Sequence, residues 1–169
     1  YQDAEGATAC TDCPAGYYCA EGAAAPLPCP GGTRMDLTLP VLTSEAECAT
    51  CSSGKYCPVG SADETACAPG TYNPLPEQQS CTRCEAGKYQ EAEGATACVD
   101  CPAGYFCVEG AAAPLSCPGG TRVDVTLPVM TSDADCLTCS SGTYCPVGSA
   151  VEVACAPGTY NPLPKQDSC

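Results

Sequence analysis

Histidine, tryptophan and isoleucine are absent from the 169 residues, and phenylalanine occurs once. Without histidine the usual base of a nucleophilic triad is missing. The acidic residues stand at changeable positions, as where Asp63 in one half of the chain faces Val151 in the other, and single carboxylates such as Asp36 read as solvated. No Asp-x-Asp-x-Asp-Gly calcium loop is present. No catalytic residue, metal ligand or cofactor site is therefore expected, and the chain does not read as an enzyme. Nine leucines and ten valines are the only bulky aliphatics besides two methionines, too few for a sizeable apolar core. Six basic residues stand against twenty acidic ones, a net charge of −14. Such a polyanion is repelled by nucleic-acid phosphates and by anionic lipid, so nucleic acid is a poor partner. Every apolar run is short and broken by proline or cysteine, far from the span of a membrane helix, and no membrane insertion is expected in this segment. Neither asparagine opens an N-glycosylation sequon, because Asn73 and Asn161 both precede Pro-Leu.

What the chain does have is 19 cysteines, 17 glycines and 17 prolines. Cysteine at that density marks a disulfide scaffold. Units that cannot bury enough apolar surface lean on covalent staples, and staples stay oxidised outside reducing compartments, so the expected location is extracellular, secreted or on the cell surface. Five Cys-x2-Cys pairs (10/13, 48/51, 81/84, 98/101 and 136/139) could be read as zinc ligands. A structural zinc site wants four thiolates in a reducing compartment, whereas here the pairs join consecutive loops and every neighbouring cysteine has a loop partner of its own.

The heptapeptide CPAGYYC at 13–19 returns as CPAGYFC at 101–107, and residues 1–81 align with 89–169 without a gap at 16 differences. This is a tandem module of 88 residues, and most changes keep an apolar or acidic character, as Met35 to Val123 and Glu45 to Asp133 do. Residues 1–9 close an earlier unit. Residues 10–97 form the first full module, with sub-units 10–47, 48–80 and 81–97, and 98–169 form a shorter second module, with sub-units 98–135 and 136–168. The chain reads as a window in a longer array. Within each module Cys-x2-Gly-x-aromatic recurs at Cys13, Cys51, Cys67 and Cys84, then at Cys101, Cys139 and Cys155. Each copy reads as a turn that needs glycine's backbone freedom, followed by a short strand whose ring can cover a disulfide. At Cys29 and Cys117 arginine (Arg34, Arg122) takes the place of the aromatic. The alternating stretch from Met35 to Leu42, and its counterpart Val123 to Met130, read as edge strands. The expected fold is small, disulfide-rich and mostly irregular, with short β-hairpins, no helices of note, and modules stacked as an extended rod.

One module holds ten cysteines, enough for five bridges. CAPGTYNPLPEQQSC (67–81) and CEAGKYQEAEGATAC (84–98) match in length and in the offsets of Gly and Tyr, so each reads as one closed loop. The local scheme that follows is Cys13–Cys19, Cys29–Cys48, Cys51–Cys57, Cys67–Cys81 and Cys84–Cys98, repeated as Cys101–Cys107, Cys117–Cys136, Cys139–Cys145 and Cys155–Cys169. A crossed scheme, with Cys13–Cys29, Cys19–Cys48, Cys51–Cys67 and Cys57–Cys81, satisfies the same parity, and spacing does not choose between them. Both leave Cys10 unpaired, its partner lying upstream of Tyr1 or on a neighbouring chain.

The run Cys-x2-Cys-Pro-Ala-Gly-Tyr-Tyr-Cys, with the Cys-x-Pro-Gly-Thr-Tyr and Thr-Ser-x-x-x-Cys stretches, resembles ephrin-receptor-like cysteine-rich repeats. It is more distantly similar to tumour-necrosis-factor-receptor and EGF-like modules. Repeats of this kind also occur in long extracellular proteins of algae and protists, including flagellar hairs, the mastigonemes. The resemblance implies extended, disulfide-stapled rods. Near-identity of adjacent modules favours a structural role in a fibre, sheath or surface hair, with copies of itself or neighbouring modules as partners. The alternative is a ligand-binding or adhesion ectodomain of a receptor. Thr38, Thr43, Ser44, Thr126, Thr131 and Ser132, beside prolines, are candidate points for O-linked sugar.

Overall fold

The computed structural model covers residues 1–169. Seven ladders of two strands each carry almost all the regular structure. In chain order they are β1 (Tyr17–Tyr18) with β2 (Leu27–Pro28), β3 (Thr33–Arg34) with β4 (Ala49–Thr50), and β5 (Lys55–Tyr56) with β6 (Thr65–Ala66). They continue with β7 (Thr71–Tyr72) and β8 (Thr82–Arg83), β9 (Lys88–Tyr89) and β10 (Val99–Asp100), β11 (Thr121–Arg122) and β12 (Leu137–Thr138), and β13 (Thr143–Tyr144) and β14 (Val153–Ala154). The pairings with a defined register are antiparallel. Single 3-10 turns at Glu45–Glu47 and Asp133–Asp135 are the helical elements, and no helix is long and apolar enough to cross a membrane.

One local device starts each hairpin. After the cysteine, three residues make a tight turn closed by the residue behind the glycine, as where the Tyr17 N–H donates to the Pro14 carbonyl (3.1 Å) and the Lys55 N–H to the Ser52 carbonyl (3.2 Å). Gly16 and Gly54 hold φ of +81° and +78° there, the sign a type II turn demands at its third residue. The turn glycine's carbonyl then accepts the N–H of a later cysteine, Cys29 for Gly16 and Cys67 for Gly54, at 2.9 Å each.

Two compact units result, Tyr1–Thr82 with Ala92–Ala97, and Arg83–Glu91 with Cys98–Cys169. In each, half-cystines are the principal filling. Cys29, Cys51, Cys57 and Cys67 are fully buried in the first unit, and Leu42 is its fully buried aliphatic. The second unit has a cluster of Phe106, Val123 and Met130 with Cys117 and Cys136, so its lone phenylalanine sits with a disulfide. The bridges run Cys13–Cys19, Cys29–Cys48, Cys51–Cys57, Cys67–Cys81, Cys84–Cys98, Cys101–Cys107, Cys117–Cys136, Cys139–Cys145 and Cys155–Cys169, and Cys10 is an exposed free thiol.

The stretch from Met35 to Leu42 is not an edge strand. Asp36 Oδ1 accepts the Thr38 N–H (2.9 Å) and hydroxyl (2.7 Å), and the Leu39 N–H donates to the Asp36 carbonyl, which folds the stretch into a turn. Asp124 and Thr126 repeat the arrangement at 2.9 and 2.6 Å in Val123 to Met130. A side-chain oxygen that satisfies its own backbone two residues on competes with a ladder, and here it wins over the period-two pattern. Only Leu42 and Met130 make bridges, to Tyr18 and Phe106.

Candidate functional site

Three features could serve a function: the contact between successive turns, the arginine that replaces an aromatic ring, and the apolar loop that follows that arginine. The first is built from backbone. Gly54 donates its N–H to the Asn73 carbonyl (2.8 Å), and Gly94 donates to the Cys67 carbonyl (2.8 Å). A Cβ on Gly54 would fall on the Gly94 carbonyl oxygen, one on Gly16 on that of Gly60, and one on Gly32 on that of Glu77. Glu77 and Lys165 sit at φ of +63° and +62°, and 17 residues separate Glu77 from Gly94 just as they separate Cys67 from Cys84. Glutamate and lysine thus occupy a place where the repeat elsewhere uses glycine. Asn73, buried, pins this joint by donating from Nδ2 to the Lys55 carbonyl (2.9 Å), and Asn161 does the same to Thr143 (2.9 Å). The sequence marks these asparagines only by the shared Tyr-Asn-Pro, and their structural role was missed.

At the second feature Arg34 donates from Nη1 to the Met35 carbonyl (2.9 Å), with Nε 3.9 Å from Glu64, and Arg122 Nε lies 3.3 Å from Glu152. Both pairs span 30 residues, and both glutamates are retained between modules, a signal that sequence reading overlooked. Glu64 also takes the Lys55 ammonium and the Ser52 N–H (3.0 Å). Lys55 first and the Ser52 amide second hold the Glu64 carboxyl down at about 2, against a burial that opposes ionisation. In the second unit burial likewise opposes ionisation of Glu152, but the Ser140 amide, the Thr143 hydroxyl and Arg122 outweigh it and lower its pKa too.

A depressed carboxyl contributes stability that is complete above its ordinary value and is lost as pH falls through the folded value. The first unit should therefore weaken between pH 4.5 and about 2. Because Lys55 is 41% exposed, the effect should be on the order of 1–2 kcal/mol. Melting of the parent and of Glu64→Gln should differ at pH 6 and converge near pH 2. A difference that persists unchanged at pH 2 would remove Glu64 as the cause.

At the third feature the loop ends are plugged inward by Leu42, Val123 and Met130, while Leu37 (65% exposed), Val41, Val125 (76%), Leu127 and Val129 face outward. In the second unit this loop and Tyr105 border a small groove of about 160 Å³. The loop threonine hydroxyls are engaged. Thr43 donates to Glu47 (3.0 Å) and Thr131 to Asp135 (3.0 Å), Thr38 and Thr126 bond to their aspartates as above, and Ser44 and Ser132 stand at the N-caps of the two 3-10 turns. These contacts lower the pKa values of Asp36, Glu47, Asp124 and Asp135, with the Thr38 amide, Thr43 amide, Thr126 hydroxyl and Thr131 amide as the respective leading causes.

No curated protein matches the sequence. Residues 70–114 match the family described as tyrosine-protein kinase ephrin type A/B receptor-like, a span that contains the Cys84–Cys98 and Cys101–Cys107 bridges. Together with the nine disulfides and the short hairpins, that match fits an ephrin-receptor-like cysteine-rich repeat over residues 70–114.

Proposed function

We propose that the chain is a structural repeat segment of a long extracellular fibre, sheath or surface hair, with no enzymatic role. The observation that carries this reading is that the outward-facing apolar residues of the loop keep their character between modules, Leu37 as Val125 and Val41 as Val129. Of the 81 aligned positions only 16 differ, and the exposed Leu37 and Val125 stay apolar although no packing inside either unit requires it. An array of equivalent units must offer the same surface at each step. The disulfide framework and the family match support an extracellular place. Copies of the same module are the proposed partners, meeting through the outward loops.

Sedimentation of a recombinant multi-module chain tests it. The parent should form assemblies that grow with concentration, and Leu37→Asp with Val125→Asp should abolish them without altering the melting of the units, since both side chains are solvent-facing. The family's description as receptor-like supports a second reading, a ligand-binding ectodomain. A parent chain that stays monomeric at high concentration and binds a soluble protein ligand would put that reading first.

A further inference from the structure

The turn of CPAGYYC is seated in the first unit, and the same turn in CPAGYFC is lifted in the second. At the seated turn Tyr17 and Tyr18 pair with Pro28 and Leu27, and the Cys29 N–H donates to the Gly16 carbonyl (2.9 Å). Gly60 lies beneath Pro28 and the Tyr17 ring, whose carbons stand 3.5 and 3.6 Å from where its Cβ would be. At the lifted turn the pairing shrinks to a single bridge between Phe106 and Leu115, and no bond joins the Cys117 N–H to Gly104. Gly104 has nothing over it, and Tyr105 is 42% exposed. Serine stands at 116 where the first module has Pro28, so Gly148 meets Ser116 alone. The lifted turn and the loop Val123 to Met130 enclose the groove of about 160 Å³.

Each module also presents an apolar corner, Pro74-Leu75-Pro76 and Pro162-Leu163-Pro164. The corner is pinned at both ends. Asn73 bonds to Lys55 on one side, and on the other the Glu77 N–H donates to the Cys51 carbonyl (2.9 Å) while Gln78 accepts the Cys57 N–H (2.9 Å). Asn161, Lys165 and Gln166 repeat these bonds to Thr143, Cys139 and Cys145. What lies between stands out into solvent. Leu75, with chain on both sides of it, is 63% exposed, and Leu163 is 63% exposed as well. Nothing inside either unit requires a leucine there, yet both modules have one.

We infer that this groove is a docking site for the Pro-Leu-Pro corner of a second copy of the chain, with the leucine entering beside Tyr105 and Val129 and Lys165 standing by Asp124. The groove's size suits one aliphatic side chain, and its Tyr105 and Pro128 offer the faces on which extended proline-bearing segments are taken up. Fixed proline angles and pinned ends leave the corner little freedom to lose on docking. Charge selects the corner. Asp124 is the one charged residue bordering the groove, and both Thr126 donors go to its Oδ1, which leaves Oδ2 for an ammonium. Of the six basic residues Lys165 alone makes no ion pair. Glu77 holds its place in the first module, and the same aspartate would repel it. Corner and groove are different surfaces, so the contact is head-to-tail and can repeat along an array. The inference rests on the association of copies proposed above and names one contact by which they meet.

The probe is the oxidised loop CAPGTYNPLPKQDSC, the sequence of residues 155–169, added to the intact chain and read by the Val129 methyl and Tyr105 ring resonances. Saturable shifts at both are expected. A peptide with its leucine replaced by Asp should bind at least about tenfold more weakly, and one with its lysine replaced by Glu about fivefold more weakly. Ser116→Pro in the chain lies outside the groove, restores the first module's residue and removes an N–H that makes no backbone bond. It should reseat the turn and abolish the shifts. No shifts with the parent chain, shifts that survive Ser116→Pro, or binding indifferent to the leucine would overturn the inference, the last two by giving the groove another occupant. Docking of the probe by a chain that never assembles would overturn the fibre reading alone. Assembly that Leu163→Asp and Ser116→Pro both leave intact would overturn this contact alone.

Discussion

Gly54→Ala should unfold much of the first unit's order, at a cost of about 3–5 kcal/mol, whereas Gly104→Ala in the second should cost only about 1 kcal/mol. The two glycines hold the same place in the turn, in CSSGKYC and CPAGYFC, with φ of +78° and +90°. A methyl group therefore meets a similar intrinsic penalty of a left-handed residue at both. The neighbours differ. On Gly54 the new carbon falls on the Gly94 carbonyl oxygen, while on Gly104 nothing lies within 4 Å. Backbone cannot swing aside as a flexible side chain can, so the Gly54 N–H bond to Asn73 and the Gly94 bond to Cys67 should open together. Hydrogen exchange resolved by unit is the measurement, because global melting would average the two sites. Equal losses at both would mean that the close approach of Gly54 to Gly94 contributes nothing.

Removing the Cys29–Cys48 bridge as a double alanine variant should cost about 3 kcal/mol, and removing Cys51–Cys57 about 2, because the longer loop gains more disorder when released. The sequence separations are 19 and 6. With few aliphatic side chains buried in the first unit, little else can take up the loss. Denaturation midpoints of the two variants give the order. The same material decides connectivity, since partial-reduction mapping should recover Cys67 joined to Cys81 and Cys84 joined to Cys98. Recovery of Cys57 joined to Cys81 would instead establish the crossed scheme.

How far the fold could be read depended on how local its causes are. The hairpins were legible because cysteine, glycine and aromatic recur at fixed offsets, and a turn needing positive φ leaves glycine as its mark. The family resemblance, carried by CPAGYYC and its companions, was legible for the same reason. The stretch Met35 to Leu42 was misread because alternation says nothing of the bonds a side chain makes to nearby backbone, whereas the Asp36 side-chain oxygen bends the chain by accepting the Thr38 N–H and hydroxyl. The partnership of Arg34 with Glu64 was missed because 30 residues separate them, although both recur in the second module. Turn-to-turn contacts such as Gly54 on Gly94 leave no side-chain trace beyond the glycine itself. Glu77 and Lys165 hide even that trace by adopting glycine's angle.

The closing of each loop by its own bridge, with only two residues between one loop and the next at Cys48–Cys51, Cys81–Cys84 and Cys98–Cys101, bears on how the chain would answer a pull. Tension applied at the ends would pass through sulfur at every loop, and the residues inside a loop could not pay out. Only spans outside the bridges, such as 20–28, 58–66, 108–116 and 146–154, could straighten, each by at most about 3.5 Å per residue. An oxidised array of such modules would stretch by those spans alone, and a reductant would turn the same polymer into a slacker one without breaking a peptide bond.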